Sequence, residues 1–301
     1  MYTNKQIDYT QLGMELAQYN FDIVVYPSIG MDPRSSLLAY HRIAPIQINT
    51  WGHSVTSGID TIDYYISSKL YELEDEEEAQ KNYSEKILLL NSLTTCYKEI
   101  VGDWLTKKQL GLPEDKTIFF CMQNNQKIKL SFLLVIQKIV EKIPNSIVLL
   151  SANNLSDEKK QYVSNLLHGC AFFVDKHVDL IEYNSFILQS DLILDSYPFG
   201  GCNGSLEAFS KGKIVLTRPS RYLPGRFTYG FYQKMGISDA IVFNDEDYIK
   251  KAVYLITHPT NKKQIEDKIL SKKNLLFNDL ESIQEWQNTL VKLYQEKFQT
   301  N

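Results

Sequence analysis

The sequence predicts an α/β protein of doubly wound parallel sheets, and three observations predict it. Short apolar runs of strand length alternate with longer stretches of helical period. The runs are apolar at successive positions, as strands buried on both faces are. One of them, Asp191–Asp195, leads through a glycine-rich turn directly into a helical pattern, the junction from which βαβ units are built.

The strand-like runs fall into two series. Phe21–Tyr26, Ile46–Thr50, Tyr64–Ser67 and Ile87–Leu90 form the first, with a helix over Ser35–Ile43 introduced by Pro33 and Arg34. Ile118–Cys121, Ile147–Ser151, Phe172–Val174, Leu192–Asp195 and Ile214–Thr217 form the second. Helical stretches near 130–142, 156–167, 179–189 and 203–211 separate them, and 246–297 reads as further helix broken at Pro259. Gly102, Gly111 and Pro113 punctuate the junction, so the expected lobes are 1–110 and 111–301, the second carrying the C-terminal helices. Two such lobes predict a cleft, with ligands beyond the carboxyl ends of the strands.

Composition narrows the function. The chain has 301 residues, 44% hydrophobic and 23% charged, as expected of an ordinary globular protein large enough for two lobes. A net charge of −4 gives no basic footprint for nucleic acid. The acidic run Glu74–Glu78 reads as a solvated loop or a helix start. Cys96, Cys121, Cys170 and Cys202 form no CxxC pair and have no histidine at a zinc spacing, so free thiols and no metal site are expected. The N-terminus has no apolar core of a secretory signal, and no window approaches about 18 unbroken apolar residues. A cytoplasmic protein without a membrane span is therefore expected. No internal repeat is present, including none of the 34-residue helical-pair kind.

The turn at 196–207, SYPFGGCNGSLE, is the most informative segment. Glycines permit sharp turns and close approach. Asn203 is a candidate N-cap, and the helix behind it would offer free N–H groups and a positive dipole end, suited to a diphosphate. Glu207, one turn in, could accept hydrogen bonds from ribose hydroxyls. A plain βα turn has the same local pattern. The segment matches neither GxGxxG nor a Walker A loop, so nicotinamide and ATP sites lack their fingerprints.

Two long segments resemble the catalytic region of the O-linked N-acetylglucosamine transferases, glycosyltransferase family 41. One is RIAPIQINTWGHSVTSG at 42–58, continuing to Ser68. The other is LDSYPFGGCNG at 194–204, continuing through Gly212 and Thr217 to PGRFTYGFYQKMG at 224–236. The likeness runs from about Phe21 to about Val253. It implies a GT-B fold, two Rossmann-like lobes facing a cleft, with the first lobe here incomplete. It implies an acceptor-side lobe at 1–110 and a nucleotide-sugar-binding lobe at 111–301. It also implies inverting, metal-independent transfer of N-acetylglucosamine or another hexose from a UDP-sugar to Ser or Thr hydroxyls of proteins.

Residue by residue, CMQNNQKI at 121–128 is similar to the family segment whose Gln and Lys touch the donor. Gln123 would then bond phosphate or sugar, and Lys127 would neutralise the leaving diphosphate. Val178 matches a residue whose backbone reads the base, and Tyr183 one that packs on the nucleotide. Asn203 and Gly204 stand where the family commonly has two threonines on the phosphates, and Glu207 where it has an acidic ribose ligand. Arg226 would bind phosphate or acceptor, or form a structural ion pair. On the acceptor side the resemblance implicates Arg34, Gly52, His53 and Thr56. His53 has a pKa range suited to proton transfer or to a sugar contact.

The alternatives are a non-catalytic nucleotide-sugar-binding subunit or remnant, and a GT-B transferase with a non-protein acceptor. A partner chain that completes the first lobe is also compatible with the sequence.

Overall fold

The structure is a computed structural model that describes residues 8–121, 123–175 and 177–299. In chain order it begins with α1 (Tyr9–Ala17), β1 (Ile23–Tyr26), α2 (Pro33–Ala39), β2 (Ile46–Thr50), β3 (Tyr64–Ser68), α3 (Glu76–Gln80) and β4 (Lys86–Leu90). Next come β5 (Thr117–Cys121), α4 (Leu130–Lys142), β6 (Ser146–Ser151), α5 (Asp157–Leu166), β7 (Ala171–Val174), α6 (Leu180–Gln189) and β8 (Leu192–Leu194). The remainder is α7 (Asn203–Ser210), β9 (Val215–Leu216), α8 (Phe227–Met235), α9 (Asp245–Thr257), α10 (Pro259–Lys272) and α11 (Leu280–Phe298). Every strand predicted from the apolar runs is present, within one or two residues at each end. The acidic run resolves as a helix start: Asp75 caps α3 by accepting the N–H groups of Glu77 and Glu78, and the carboxylates sit at the positive end of the helix.

The chain divides into two compact units, residues up to Cys96 with those from Asp279 onward, and Tyr97–Asn278. The sequence places the boundary at 110/111 and all the C-terminal helices in the second lobe. In the structure the break falls at 96/97, and α11 belongs to the first unit. The reason lies in the first sheet. Its four parallel strands pair in chain order, β1-β2-β3-β4. Right-handed crossovers between strands laid down in one direction all fall on one face. There Tyr26, Ile29, Ala39, Ile43, Ile59 and Ile62 form a core.

The other face presents Ile46, Ile48, Ile66 and Leu90, and α11 covers it with Leu293, Trp286 and Leu290 at helical spacing. Polar contacts fasten the helix. Asp279 accepts from the Ser92 hydroxyl at 2.7 Å, Glu285 accepts the Asn91 N–H at 2.7 Å, and the Trp286 indole donates to the Thr94 carbonyl at 3.0 Å.

The second unit has a five-stranded parallel sheet ordered β7-β6-β5-β8-β9. The chain winds outward from β5 to β7, then returns past β5 to lay down β8 and β9. The order therefore reverses between β5 and β8, which pair through Phe119 with Leu192 and Phe120 with Ile193. Helices cover both faces, so the strands are apolar throughout; Phe119, Val148, Leu149 and Leu194 are fully buried. α4 buries Phe132, Ile136 and Ile139 at helical spacing. α9 returns to the sheet edge, where the Tyr248 hydroxyl donates to the Leu216 and Asp195 carbonyls at 2.9 and 3.0 Å.

Leu293→Ala removes the α11 side chain buried against the first sheet. We expect it to lower stability by about 2–5 kcal/mol, read by urea unfolding. Leu280→Ala, on an exposed residue of the same helix, should stay within about 0.5 kcal/mol.

Candidate functional site

The crevice outside the β5 and β8 carboxyl ends is where a doubly wound sheet presents a ligand site, and three segments converge there. The loop after β8 is organised by Asp195, which is 3% exposed. Its carboxylate accepts the Gly201 N–H at 2.6 Å and the Thr217 hydroxyl at 2.7 Å, and the Thr228 hydroxyl also bonds it. Burial pushes this carboxyl up, while the three donors and the nearby Lys127 charge oppose that.

Lys127 enters from the loop after β5. Its Nζ donates to the Gly200 carbonyl at 3.0 Å and lies 4.2 Å from the Phe199 ring centroid, a cation–π contact. Burial lowers its pKa; Asp195 and Cys202 raise it. An ammonium has three donors, so the carbonyl leaves two for an anion.

α7 closes the site. Asn203 is not the N-cap: that position is Cys202, which makes no side-chain cap bond, and Asn203 is the exposed first residue inside the helix. The N–H groups of Ser205 and Leu206 already bond the Cys202 carbonyl at 3.0 and 3.1 Å. Those of Asn203 and Gly204 are the orphan donors that every helix start leaves, at the positive end of its dipole.

The glycines have a reason that the sequence does not show. A Cβ on Gly200 would lie 3.0 Å from Asp195 Oδ1, and one on Gly201 would lie 2.7 Å from Ser205 Oγ and 3.1 Å from Gln123 Nε2. A Cβ on Gly204 would lie 2.7 Å from the Tyr183 hydroxyl. The space each glycine leaves is thus filled by the protein itself. Gln123, Lys127, Tyr183, Asn203 and Gly204 are brought together around this loop. The PGRF segment braces it from behind: Gly200 N–H bonds the Pro224 carbonyl at 2.9 Å.

Arg226 belongs to that brace. It is buried, its Nη1 donates to the Ser220 carbonyl at 3.0 Å, and its guanidinium lies 4.9 Å from the Tyr229 ring centroid. Glu207 is also buried and engaged, accepting from the Tyr97 hydroxyl at 3.0 Å and from Asn184 Nδ2 at 3.4 Å. Its burial raises its pKa. Tyr183 sets its ring edge-on to Phe120 at 5.5 Å, and Val178 lies half-buried just before α6.

In the first unit, a Cβ on Gly52 would lie 1.6 Å from the Pro27 carbonyl oxygen, so this glycine serves a backbone contact within its own unit. The His53 ring fills the space left by Gly30, whose φ is +88°, and burial lowers the His53 pKa. Thr56 donates to Glu85 Oε2 at 2.6 Å. Arg34 lies exposed at the start of α2, where Asp32 caps its N–H.

Sequence reasoning missed Asp195, Thr217, Thr228 and Tyr97. Asp195 left a signal, a charged residue ending the apolar run before the glycines; Tyr97 left none. Among the described residues no cluster of three or more His, Cys, Asp or Glu side chains could hold a metal, and no helix is long and apolar enough to cross a membrane.

Comparison with known proteins decides the family. The model of glycosyl transferase family 41 matches residues 95–285. The chain belongs to glycosyl transferase family 41. One relative is the UDP-glucose:protein N-beta-glucosyltransferase of Actinobacillus pleuropneumoniae serotype 5b, 20% identical over 269 residues, covering 84% of this chain and 41% of that protein. Another is the probable UDP-N-acetylglucosamine--peptide N-acetylglucosaminyltransferase SEC of Arabidopsis thaliana, 26% identical over 229 residues, covering 70% of this chain and 23% of that protein.

A mutant of the Thermobaculum terrenum O-GlcNAc transferase superposes with a TM-score of 0.79 at 18% identity, over 98% of this chain and 57% of that one. The chain thus spans about two-fifths or less of these curated relatives, and its fold is the α/β, GT-B-like one that the sequence predicts.

Two outcomes are expected from the site's own packing. Gly204→Ala should destabilise the wild type but be neutral or stabilising in a Tyr183→Phe background. Removing the hydroxyl leaves the next ring atom, Cζ, 3.8 Å from the new methyl, and alanine favours helix by roughly 1 kcal/mol. Thermal melts of the four proteins measure the coupling. Glu207 has a raised folded-state pKa, so the native state binds its proton more tightly than the unfolded chain does. Its contribution is full below the ordinary value of 4.5 and is lost as pH rises through the raised value. Denaturation from pH 4 to 7 should therefore show a smaller loss of stability for Glu207→Gln than for wild type.

Proposed function

We propose that the second unit binds a UDP-sugar at the β5/β8 switch point and that the protein transfers a hexose to protein side chains. The observation that carries the proposal is the convergence of Lys127 and the uncapped start of α7 on one loop. A half-buried ammonium and oriented backbone N–H groups form the donor set that a diphosphate requires. UDP and a protein acceptor are what the names of the two relatives share; they differ in the sugar. N-acetylglucosamine or glucose is therefore the proposed donor sugar, and Ser or Thr hydroxyls are the proposed acceptor.

In the proposed step the acceptor oxygen attacks the anomeric carbon on the face opposite the diphosphate. The bond from that carbon to the diphosphate oxygen breaks, inverting the centre, and the hydroxyl proton passes to a base. Charge develops on the leaving diphosphate. Lys127 and the Asn203 and Gly204 N–H groups are proposed to receive it, the part a metal ion plays in other transferases. Gln123 is assigned to the phosphate or the sugar, and Val178 and Tyr183 to the nucleoside. The buried, engaged Glu207 would reach ribose hydroxyls only by giving up Tyr97 or Asn184.

In the first unit, the proposed acceptor lobe, His53 is the group suited to take a proton, because a lowered pKa keeps its imidazole neutral at pH 7. Arg34, Gly52 and Thr56 are proposed to support that side, and Arg226 the donor loop. A cytoplasmic location accords with four free cysteines.

Calorimetry with UDP and a donor-transfer assay test the proposal. Lys127→Ala should weaken UDP by roughly 10-fold or more, as loss of a charged hydrogen bond does, and should abolish transfer. His53→Ala should leave UDP affinity unchanged and lower transfer. A wild type that binds no UDP would overturn the proposal.

A further inference from the structure

Asp195 has a place in this site that its position in the sequence does not announce. It is the first residue beyond β8, 3% exposed, and three hydrogen-bond donors and one cation face its carboxylate. Gly201 N–H reaches Oδ1 at 2.6 Å from the glycine loop, and the Thr217 hydroxyl reaches Oδ2 at 2.7 Å from the end of β9. The Thr228 hydroxyl bonds it from α8, and Ser205 on the first turn of α7 shares a 2.8 Å hydrogen bond with Thr228. The Lys127 charge faces it from the loop after β5. The Gly201 N–H can only donate and both threonine hydroxyls can, so the pocket offers the group at its centre donors on three sides, as a carboxylate requires. Gly200 and Gly201 fold closely around it: a Cβ on either would come within 3.0–3.4 Å of Oδ1.

A carboxylate buried beneath an anion site at first opposes the anion. The geometry resolves the conflict, because Lys127 Nζ bonds the carbonyl of the Gly200–Gly201 peptide, whose N–H the carboxylate itself holds. We infer that Asp195 is a positioning residue of the donor site: it fixes the 196–204 loop and keeps Lys127 as a cation, and it acts on a bound diphosphate only through these two. The inference rests on the donor-binding proposal above. It assigns to one carboxylate the joint placement of two anion-binding elements, Lys127 and the start of α7.

The electrostatic half has a distinct signature. Burial drives Lys127 toward its neutral form. Two titratable groups face it, Asp195 and the Cys202 thiol, and burial pushes that thiol up to about 12, so it is neutral at pH 7. Asp195 thus carries the opposing charge, and without it the ammonium should lose its proton at lower pH.

The experiment compares UDP with uridine, which lacks the phosphates, by calorimetry on the full chain from pH 6 to 10. Asp195→Asn keeps the size and removes the charge. We expect it to bind UDP about 10-fold or more weakly at pH 7, to bind uridine as wild type does, and to lose UDP affinity at lower pH than wild type on the basic side. A merely structural role would weaken UDP and uridine alike and leave the basic limb in place, and that result overturns the inference; so does wild-type behaviour toward UDP. If Asp195→Asn does not fold, Thr217→Val carries the test, since it removes one donor to Oδ2 and no charge. It should weaken UDP more than uridine, and unchanged UDP affinity overturns the inference. A wild type that binds neither ligand removes the donor-binding proposal and this inference together, whereas a wild type that binds UDP and an unaffected variant remove the inference alone.

Discussion

The pairing of β8 beside β5 is the constraint on which the second unit depends. The chain has by then laid down β6 and β7 on the other side of β5, so β8 must return across the sheet. That reversal parts the loops beyond the two strands and leaves a crevice between them. Lys127 reaches it from one side and the glycine loop from the other. Without the reversal the two segments, 73 residues apart at their hydrogen bond, would have no reason to meet.

Inside the crevice the protein uses its glycines on itself. Asp195, Ser205, Gln123 and Tyr183 occupy the volumes that side chains at 200, 201 and 204 would fill. The loop is therefore close-packed before any ligand arrives, which is the preorganisation that electrostatic stabilisation requires. The same economy holds at Glu207 and Thr56, whose polar atoms have partners within their own units. Lys127 and the start of α7 differ from these, since they retain donors beyond their protein partners.

Much of the fold was legible in the sequence because its signals are local. A run such as Ile147–Ser151 is buried on both faces wherever it pairs, so its apolarity together with its short length points to a strand. The Asp75 cap and the Pro259 break act within a turn of their own positions. The candidate site was legible to the extent that it lies on strand ends and carries family motifs. Asn203 shows the limit. Its residue type suits an N-cap, yet the helix starts one residue earlier than that role needs, because the fold of the preceding loop puts Cys202 at the cap.

The sequence by itself determined the class of the protein, the positions of its strands and the residues of its glycine loop, since periodicity and motif spacing are properties of neighbours along the chain. Tertiary structure alone decided which sheet α11 covers, what fills the space beside each glycine, and that Asp195 stands at the centre of the site. The physical reason is common to all three. An amphipathic helix shows only that it has an apolar face, and a glycine or a carboxylate only that it can accept a close neighbour. The partner in each case is set by strand order and crossover hand, which bring together residues that the sequence holds far apart.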